Sequence, residues 1–337
     1  MKNRIFNLAF VFIAVLGLLQ VDAAAQPRTR NTNPAAGGLM ASLPASDAVA
    51  QIKIKQLLDE AMPRILASNP ARLAQVNASI EDFKTRTGLD ARQFDQLAVG
   101  AKFTYPAEGV TKVQAVALAR GAFNPAAMVA AGRVASNGKY REENYQGKTI
   151  YIFTLNENIR MLGLFDFTIN ELAVTPLDAN TLALGDPAGV RSAIDVNRAS
   201  RRANAELIAL ANRDPNAVVG FGANMSERLV RNIDIGNAPI GADLAKLRQV
   251  YGSVGTTEKD LQLFIAARAV NAEAAKSLGD TLEGLKQFGA LLVGRLSGAR
   301  GVLAKSALTN LQIVTDANEL QIRTAVPQAD IGPLMGN

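Results

Sequence analysis

The residues of this chain that could carry out chemistry are carboxylates, lysines, arginines and hydroxyl groups, because its 337 residues include no histidine, cysteine or tryptophan. Cys–His and Ser–His–Asp catalytic arrangements both need an imidazole, so neither can form. Zinc sites draw mainly on imidazole and thiolate ligands, and we therefore expect no metal site. The remaining residues show no recognisable catalytic spacing, so the catalytic residues stay unassigned and no cofactor is predicted.

Two stretches resemble phosphate-binding loops but lack residues that such loops require. Gly220-Phe221-Gly222 ends a predicted strand before a helix, as a dinucleotide fingerprint does, yet Met225 takes the place of the third glycine. Residues 299–306 end in Lys-Ser like a phosphate loop, but alanine replaces both glycines. We interpret the first stretch as a strand that leaves the sheet through a glycine turn and the second as the start of a helix.

Two clusters of charge are candidates for binding or acid–base chemistry. Arg198, Arg201 and Arg202 could hold an anionic partner. A solvated connector is the favoured interpretation, since no aromatic residues are interleaved for base stacking, and we do not expect nucleic-acid binding. Glu142 and Glu143 are adjacent in a predicted strand and would point to opposite faces, so we predict that they protect a sheet edge rather than form an acid–base pair.

The first residues have the pattern of an export signal. Lys2 and Arg4 precede a short apolar run (5–19), and three alanines ending at Ala25 match a signal-peptidase site. We predict a cleaved signal peptide over residues 1–25 and a periplasmic or secreted product without a transmembrane span. The alternative is an uncleaved N-terminal anchor, against which the alanine site argues.

Helix and strand patterns follow one another along the rest of the chain. Helix starts are expected at Asn69-Pro70, Asn124-Pro125, Asp186-Pro187 and Asn271, where the side chain before the first turn can cap free amides. A short strand is expected at 39–43, followed by a helix from Ser46. Further strands are expected at 98–105, 112–123, 139–145, 148–154, 165–175, 181–184, 217–221, 247–255, 260–270, 308–315 and 319–326.

A hairpin pattern occurs twice. Residues 174–184 and 314–322 each contain the turn D-A-N followed by an alternating apolar run. Asp and Asn suit tight turns because they tolerate left-handed backbone. The repeat predicts an α+β protein of two related lobes, each a mainly antiparallel sheet packed against helices, produced by internal duplication. The predicted boundaries are a flexible linker (26–38), lobe 1 (39–197), a connector (198–214), lobe 2 (215–327) and a loose tail (328–337).

The helix after Asn271 has one apolar face and one polar face. The polar face mixes acidic and basic residues, so we predict that the apolar face packs on the sheet of the second lobe rather than on a membrane or partner. That face comprises Ala274, Leu278, Leu282, Leu285, Phe288 and Leu292.

The function favoured by these patterns is that of an exported, non-catalytic binding protein or envelope-associated scaffold. Its ligand, a small apolar molecule, lipid, peptide or envelope protein, would lie between sheet and helix or between the lobes. The alternative is a hydrolase that uses carboxylates or a Ser–Lys pair from distant parts of the chain. A third hypothesis is a subunit whose exposed sheet edge pairs with another chain.

Overall fold

Twelve strands form one sheet in the computed structural model, which describes residues 38–87, 90–161, 165–196, 202–232 and 238–331. The strands are β1 (Ala48–Ile52), β2 (Phe94–Ala107), β3 (Val110–Gly121), β4 (Tyr140–Tyr145), β5 (Lys148–Met161), β6 (Phe165–Pro176), β7 (Thr181–Gly185), β8 (Val219–Asn224), β9 (Leu247–Thr256), β10 (Asp260–Ala269), β11 (Gln312–Asp316) and β12 (Glu319–Pro327). The predicted signal peptide and residues 26–37 lie outside the described residues.

The strands lie in the order β11-β12-β10-β9-β8-β1-β2-β3-β7-β6-β5-β4, and the neighbouring pairs are antiparallel. β1 lies at the centre, where Ala48 is paired with Ala101 of β2 and with Ala223 of β8. The predicted lobes therefore share one sheet, and the prediction that each has its own sheet is wrong. Periodicity identifies strands but not their partners, so the pairing of β1 with β8 could not be derived from it.

Helices lie on both faces of the sheet. They are α1 (Ile54–Gln56), α2 (Met62–Ile65), α3 (Pro70–Thr87), α4 (Pro125–Ala135), α5 (Pro187–Val196), α6 (Ala205–Ala211), α7 (Glu227–Arg231), α8 (Ala238–Leu244), α9 (Ala272–Val293), α10 (Gly298–Asn310) and α11 (Gln328–Ile331); a π-helical turn (Leu57–Ala61) joins α1 to α2. The predicted starts of α4 and α9 are confirmed. Asn124 Oδ1 accepts from the amide of Ala126 at 2.9 Å, and Asn271 Oδ1 accepts from Ala274 at 2.8 Å.

The core has a layer on each side of the sheet. On one face, α5 and α6 pack with a 3₁₀ turn (Gly38–Ser42) over the central strands. On the other face, α1 and α4 cover the strands around Phe94 and Leu182. A further apolar cluster joins the first half of α9 to β10 and β12. The chain thus holds its fold through burial without disulfides, since it has no cysteine.

Several predicted elements differ from those observed. Residues 39–43 lie mainly in a 3₁₀ turn rather than a strand, and the helix predicted from Ser46 is replaced by β1. β1 lies between two other strands with both faces covered, so its apolar pattern resembles that of a buried helix. The strand predicted at 308–315 begins at Gln312, because α10 continues to Asn310.

The predicted connector and the predicted loose tail both contribute to the packed structure. The connector (198–214) contains α6, whose Leu207 is fully buried. The tail (328–337) begins with α11, where Gln328 Nε2 donates to the carbonyl oxygen of Thr257 at 2.9 Å and Ile331 is buried. Residues 332–337 lie outside the described residues.

Candidate functional site

An apolar stripe on α9 runs from the core out to solvent. Leu278, Leu285 and Leu292 are seven residues apart and therefore lie on one face of the helix. Leu278 is 3% exposed, whereas Leu285 is 45% exposed. The 22 residues of α9 span about 33 Å, and the five of β11 span about 17 Å, so the helix extends beyond the strand that it covers. The prediction that the whole face packs on the sheet is wrong for its second half.

The exposed end of this stripe continues through residues 294–297 into α10. Phe288 is 60% exposed and Leu291 is 74% exposed. We call this surface the helical tip. It consists of Leu285, Phe288, Leu291, Leu292, Leu296 and Val302.

Basic residues outnumber acidic residues around the helical tip. Between residues 284 and 315 the chain has four basic residues and no carboxylate; the basic residues are Lys286, Arg295, Arg300 and Lys305. Arg295, Arg300 and Lys305 are exposed, while Lys286 pairs with Glu283 at 3.4 Å. The helical tip therefore combines exposed apolar side chains with excess positive charge.

Polar contacts hold α10 on the sheet beneath the helical tip. Thr324 Oγ1 on β12 donates to the carbonyl oxygen of Ala307 at 2.8 Å, and Asn310 Nδ2 donates to that of Ala325 at 2.6 Å. These bonds connect the C-terminal half of α10 to β12, so the sheet supports the apolar side chains of the helical tip.

A buried carboxylate fastens the first half of α9 to α8. Asp243 accepts hydrogen bonds from Lys246 Nζ at 2.9 Å, Ser277 Oγ at 3.1 Å and Thr281 Oγ1 at 3.2 Å. Burial alone would raise the pKa of Asp243, but the donated hydrogen bonds outweigh it and lower this pKa below its ordinary value. Ser277 donates to a carboxylate that Lys246 already neutralises. Asp243 and its three donors therefore form a structural clamp and do not activate Ser277 as a nucleophile.

The glycines of the Gly220-Phe221-Gly222 motif allow a helix to approach the sheet closely. A Cβ atom on Gly220 would collide with the carbonyl oxygen of Ala211, and one on Gly222 would lie 2.9 Å from that of Leu207. Both of these oxygens belong to α6. The motif therefore supports helix–strand packing, and its backbone faces protein where a phosphate would have to lie.

The Lys-Ser ending of residues 299–306 lies within α10. Ser306 Oγ donates to Asp330 Oδ2 at 2.5 Å, and Lys305 is exposed. This stretch begins α10, as its interpretation as the start of a helix predicts, and Ser306 connects α10 to α11.

The two predicted charge clusters have different outcomes. Glu143 forms a two-pronged ion pair with Arg191, with both N–O distances at 2.6 Å, while Glu142 lies 3.6 Å from Arg133. The hydrogen bonds from Arg191 lower the pKa of Glu143. The two carboxylates thus face different helices of the first half. Of the arginine cluster, Arg202 is exposed, and Arg198 and Arg201 lie outside the described residues.

The described ranges contain no group of three or more His, Cys, Asp or Glu side chains that could hold a metal ion. No helix within those ranges is both long and apolar enough to cross a bilayer. A surface recess beside α1 and β2 is lined by charged and amide-bearing residues. Its lining residues are Lys53, Lys55, Gln56, Asp59, Glu60, Asp95 and Gln96.

Comparisons with known proteins find no matching family model and no matching curated protein. Among solved structures, the chain is similar to TP0453 in crystal forms III, I and IV, with sequence identities of 8%, 9% and 9% and a TM-score of 0.44 in each case. The alignments cover 91%, 91% and 88% of this chain and 99%, 98% and 96% of the TP0453 chains. The similarity is weak and concerns the course of the chain alone.

Proposed function

We propose that this protein is an exported, non-catalytic envelope protein that attaches to an anionic lipid surface through its helical tip. The observation that carries the proposal is the exposure of the apolar end of α9, where Phe288 and Leu291 are 60% and 74% exposed. A contiguous apolar surface of this kind usually marks a binding site on a protein.

The shape and polarity of the helical tip fit the boundary between lipid headgroups and acyl chains. Helices that lie in this boundary bury large apolar side chains and keep basic residues among the headgroups. Here Phe288 and Leu291 supply the apolar side chains, and Arg295 and Arg300 lie close by in sequence. Each basic residue near an anionic surface contributes about 1 kcal/mol to binding, so the exposed residues Arg295, Arg300 and Lys305 favour anionic lipids.

A second copy of the chain is a less suitable occupant of this surface. Two-fold dimers join identical patches, so each helical tip would face its own counterpart. That arrangement would bring Arg295, Arg300 and Lys305 of one copy close to the same three residues of the other, with no carboxylate between residues 284 and 315 to balance them. Anionic headgroups offer the opposite charge.

Vesicle binding by the exported chain tests the proposal. We expect co-sedimentation with vesicles that contain phosphatidylglycerol and at least about tenfold weaker binding to pure phosphatidylcholine. Phe288→Asp should reduce binding to the anionic vesicles by at least about tenfold, because it places a charge in the apolar contact. Val134→Asp is the matched control, since Val134 is 83% exposed on α4, outside the helical tip.

Three results would contradict lipid attachment. They are equal binding to both kinds of vesicle, equal losses in the two variants, and a concentration-dependent dimer in gel filtration that Phe288→Asp dissociates. The last result would assign the helical tip to a second copy of the chain.

The export part of the proposal rests on the first 25 residues. Mass spectrometry of the protein from its native envelope should find an N-terminus close to Gln26. A chain that retains Met1 or Lys2 would argue for the uncleaved anchor instead.

We also infer that the two halves arose by internal duplication. Outward from the β1–β8 junction, one half reads β1-β2-β3-β7-β6 and the other reads β8-β9-β10-β12-β11. The two D-A-N turns connect β6 to β7 and β11 to β12, which are corresponding positions in this order.

A chimera in which residues 174–184 replace residues 314–322 should fold cooperatively if the hairpins are equivalent; a product without a cooperative transition would count against the inference.

A further inference from the structure

Three arginines from distant parts of the chain meet on one face of the sheet. Arg213 follows α6, Arg268 lies in β10, and Arg323 lies in β12. The guanidinium carbon of Arg213 lies 5.2 Å from the ring centre of Tyr251 and 5.5 Å from that of Phe264. Arg268 lies 5.6 Å from the Tyr251 ring, and Arg323 lies 5.0 Å from the Phe264 ring. We call these five residues the arginine face.

The strand register places these side chains side by side. Phe264 is paired with Arg323 across β10 and β12, and Arg268 is paired with Glu319 four residues further along. Residues two apart in a strand point to the same face, so the side chains of Glu319 and Arg323 lie on one side of β12. Leu320 points to the opposite side, against α9. The arginine face is therefore separate from the helical tip.

Arg213 and Arg268 have carboxylate partners. Glu319 accepts from Arg213 at 3.0 Å and from Arg268 at 3.2 Å. Arg268 also lies 3.0 Å from Glu206. Two carboxylates thus balance two of the three guanidinium groups, which leaves the positive charge of the third.

Of these three arginines, Arg323 is the one that has no ion pair with the described residues. Its Nη2 donates to the amide oxygen of Gln321, and its Nε is buried without a hydrogen-bond partner. Burial, and then repulsion from Arg213, lower the pKa of Arg323, and the attraction of Glu319 offsets only part of this lowering. A neutral amide therefore occupies half of a guanidinium fork that usually receives two oxygens of an anion.

The same fork is filled by a carboxylate elsewhere in the molecule. Arg191 uses its Nε and Nη2 for the two oxygens of Glu143, at 2.6 Å each. Arg323 presents the corresponding pair of nitrogens, with Gln321 on Nη2 and no partner on Nε. The comparison with Arg191 indicates that Arg323 lacks an oxyanion that accepts from both Nε and Nη2.

We propose that the arginine face is a binding site for a compact oxyanion, a carboxylate or phosphate group, that replaces the Gln321 amide oxygen in the fork of Arg323. The ligand would accept from both Nε and Nη2 of Arg323 and would reduce its repulsion from Arg213. The side chain of Arg213 is 42% exposed, and displacement of the Gln321 amide would open a path from that side to the buried Nε of Arg323. Stacking on Tyr251 and Phe264 restricts the guanidinium groups before the anion arrives.

Thermal unfolding of the exported chain, titrated with acetate, inorganic phosphate or chloride at constant ionic strength, tests the site. We expect a saturable rise in Tm with acetate, phosphate or both, with an apparent Kd on the order of millimolar, and no such rise with chloride. A response to acetate alone would identify a carboxylate ligand, and a response to phosphate alone a phosphate ligand.

Substitutions at Arg323 show whether the fork is responsible. Arg323→Gln should weaken anion binding by at least about tenfold, and Arg323→Lys should do so too, because lysine keeps the charge but has no fork. Arg228→Gln, which removes the same charge from an exposed position of α7, should leave the affinity unchanged. Arg323→Gln should also fold normally, since it removes a cation that has no carboxylate partner.

The proposal is overturned if the three anions change Tm equally, or if both Arg323 variants bind with the affinity of the native chain. If Arg323→Gln does not fold, the decision rests on Arg323→Lys, and retained binding in that variant would likewise overturn it.

Discussion

Ala317 is a residue under backbone strain in the second D-A-N turn. Its φ is 49°, in the left-handed region that residues with a Cβ atom avoid at a cost of about 1–2 kcal/mol. The pattern predicted left-handed backbone at Asp or Asn. Asn318 instead uses its side chain, which donates from Nδ2 to the carbonyl oxygen of Ala269 at 3.2 Å. The alanine in the middle takes the left-handed conformation.

Ala317→Gly should therefore raise the free energy of unfolding by about 0.5–1 kcal/mol in urea denaturation, after subtraction of the entropy cost of glycine. Ala179→Gly is the matched control from the other D-A-N turn, because Ala179 does not have a positive φ. We expect the control to be neutral or slightly destabilising. A gain of equal size in both variants would show that relief of strain is not the cause.

Asp243 gives stability a dependence on pH. Its pKa in the folded protein lies below the ordinary value of 3.8, so the stabilisation is fully present above that value and decreases as the pH falls through the folded pKa. Asp243→Asn should lower the free energy of unfolding by about 1–3 kcal/mol at pH 7. Denaturation at pH 3 should show a smaller difference between variant and native chain.

The exposed Asp280 of α9 provides the control for this measurement. Asp280→Asn should change stability by less than about 0.5 kcal/mol at either pH. A loss in Asp243→Asn that is the same at pH 7 and pH 3 would rule out the charged clamp.

Sequence reasoning reached some residues and missed others for physical reasons. Asn124 and Asn271 could be predicted as caps because a cap depends on its immediate neighbours. Arg213, Arg268 and Arg323 could not be grouped, since they come together through strand pairing between distant segments. The pattern places Leu285, Phe288 and Leu292 in the core, because amphipathic spacing shows which residues share a face but not where the supporting sheet ends.

At the scale of elements, α9 is one helix in two environments. The first half packs on the sheet through Leu278, and the second half carries Leu285 and Leu292 on the same face into solvent. The proposed surface-binding half of α9 is thus supported by the core through the other half. Loss of its exposed side chains should affect attachment more than folding.

Alanine substitutions along this face should separate the two environments. Leu278→Ala should lower the free energy of unfolding by about 2–4 kcal/mol, because it leaves a cavity in a packed cluster. Leu285→Ala and Leu292→Ala should each cost about 1 kcal/mol or less, since about half of each side chain is already exposed. Chemical denaturation measures these differences. Equal costs at all three positions would mean that the second half of α9 is also buried.

At the scale of the whole molecule, the continuous sheet predicts one unfolding transition. The β1–β8 ladder joins the halves by backbone hydrogen bonds, so opening one half exposes an edge of the other. The chain has no tryptophan, so Phe153→Trp and Phe221→Trp each place a single fluorescent probe in one half. We expect the two variants, once corrected for their own stabilities by circular dichroism, to unfold with coincident midpoints. Different fluorescence midpoints for the two variants, after this correction, would show that the halves unfold independently.

The central position of β1 also has a consequence for how the chain matures. β1 belongs to the first segment of the described chain, yet its partner β8 follows only after α6. A nascent polypeptide can therefore form the strands from β1 to β7 while one side of β1 still has unpaired amide and carbonyl groups. Such an edge is prone to join the same edge of a neighbouring molecule, and pairing across so long a separation is slow. We therefore expect efficient folding of this protein to require that β8 pairs with β1 before two partly folded chains associate through that edge.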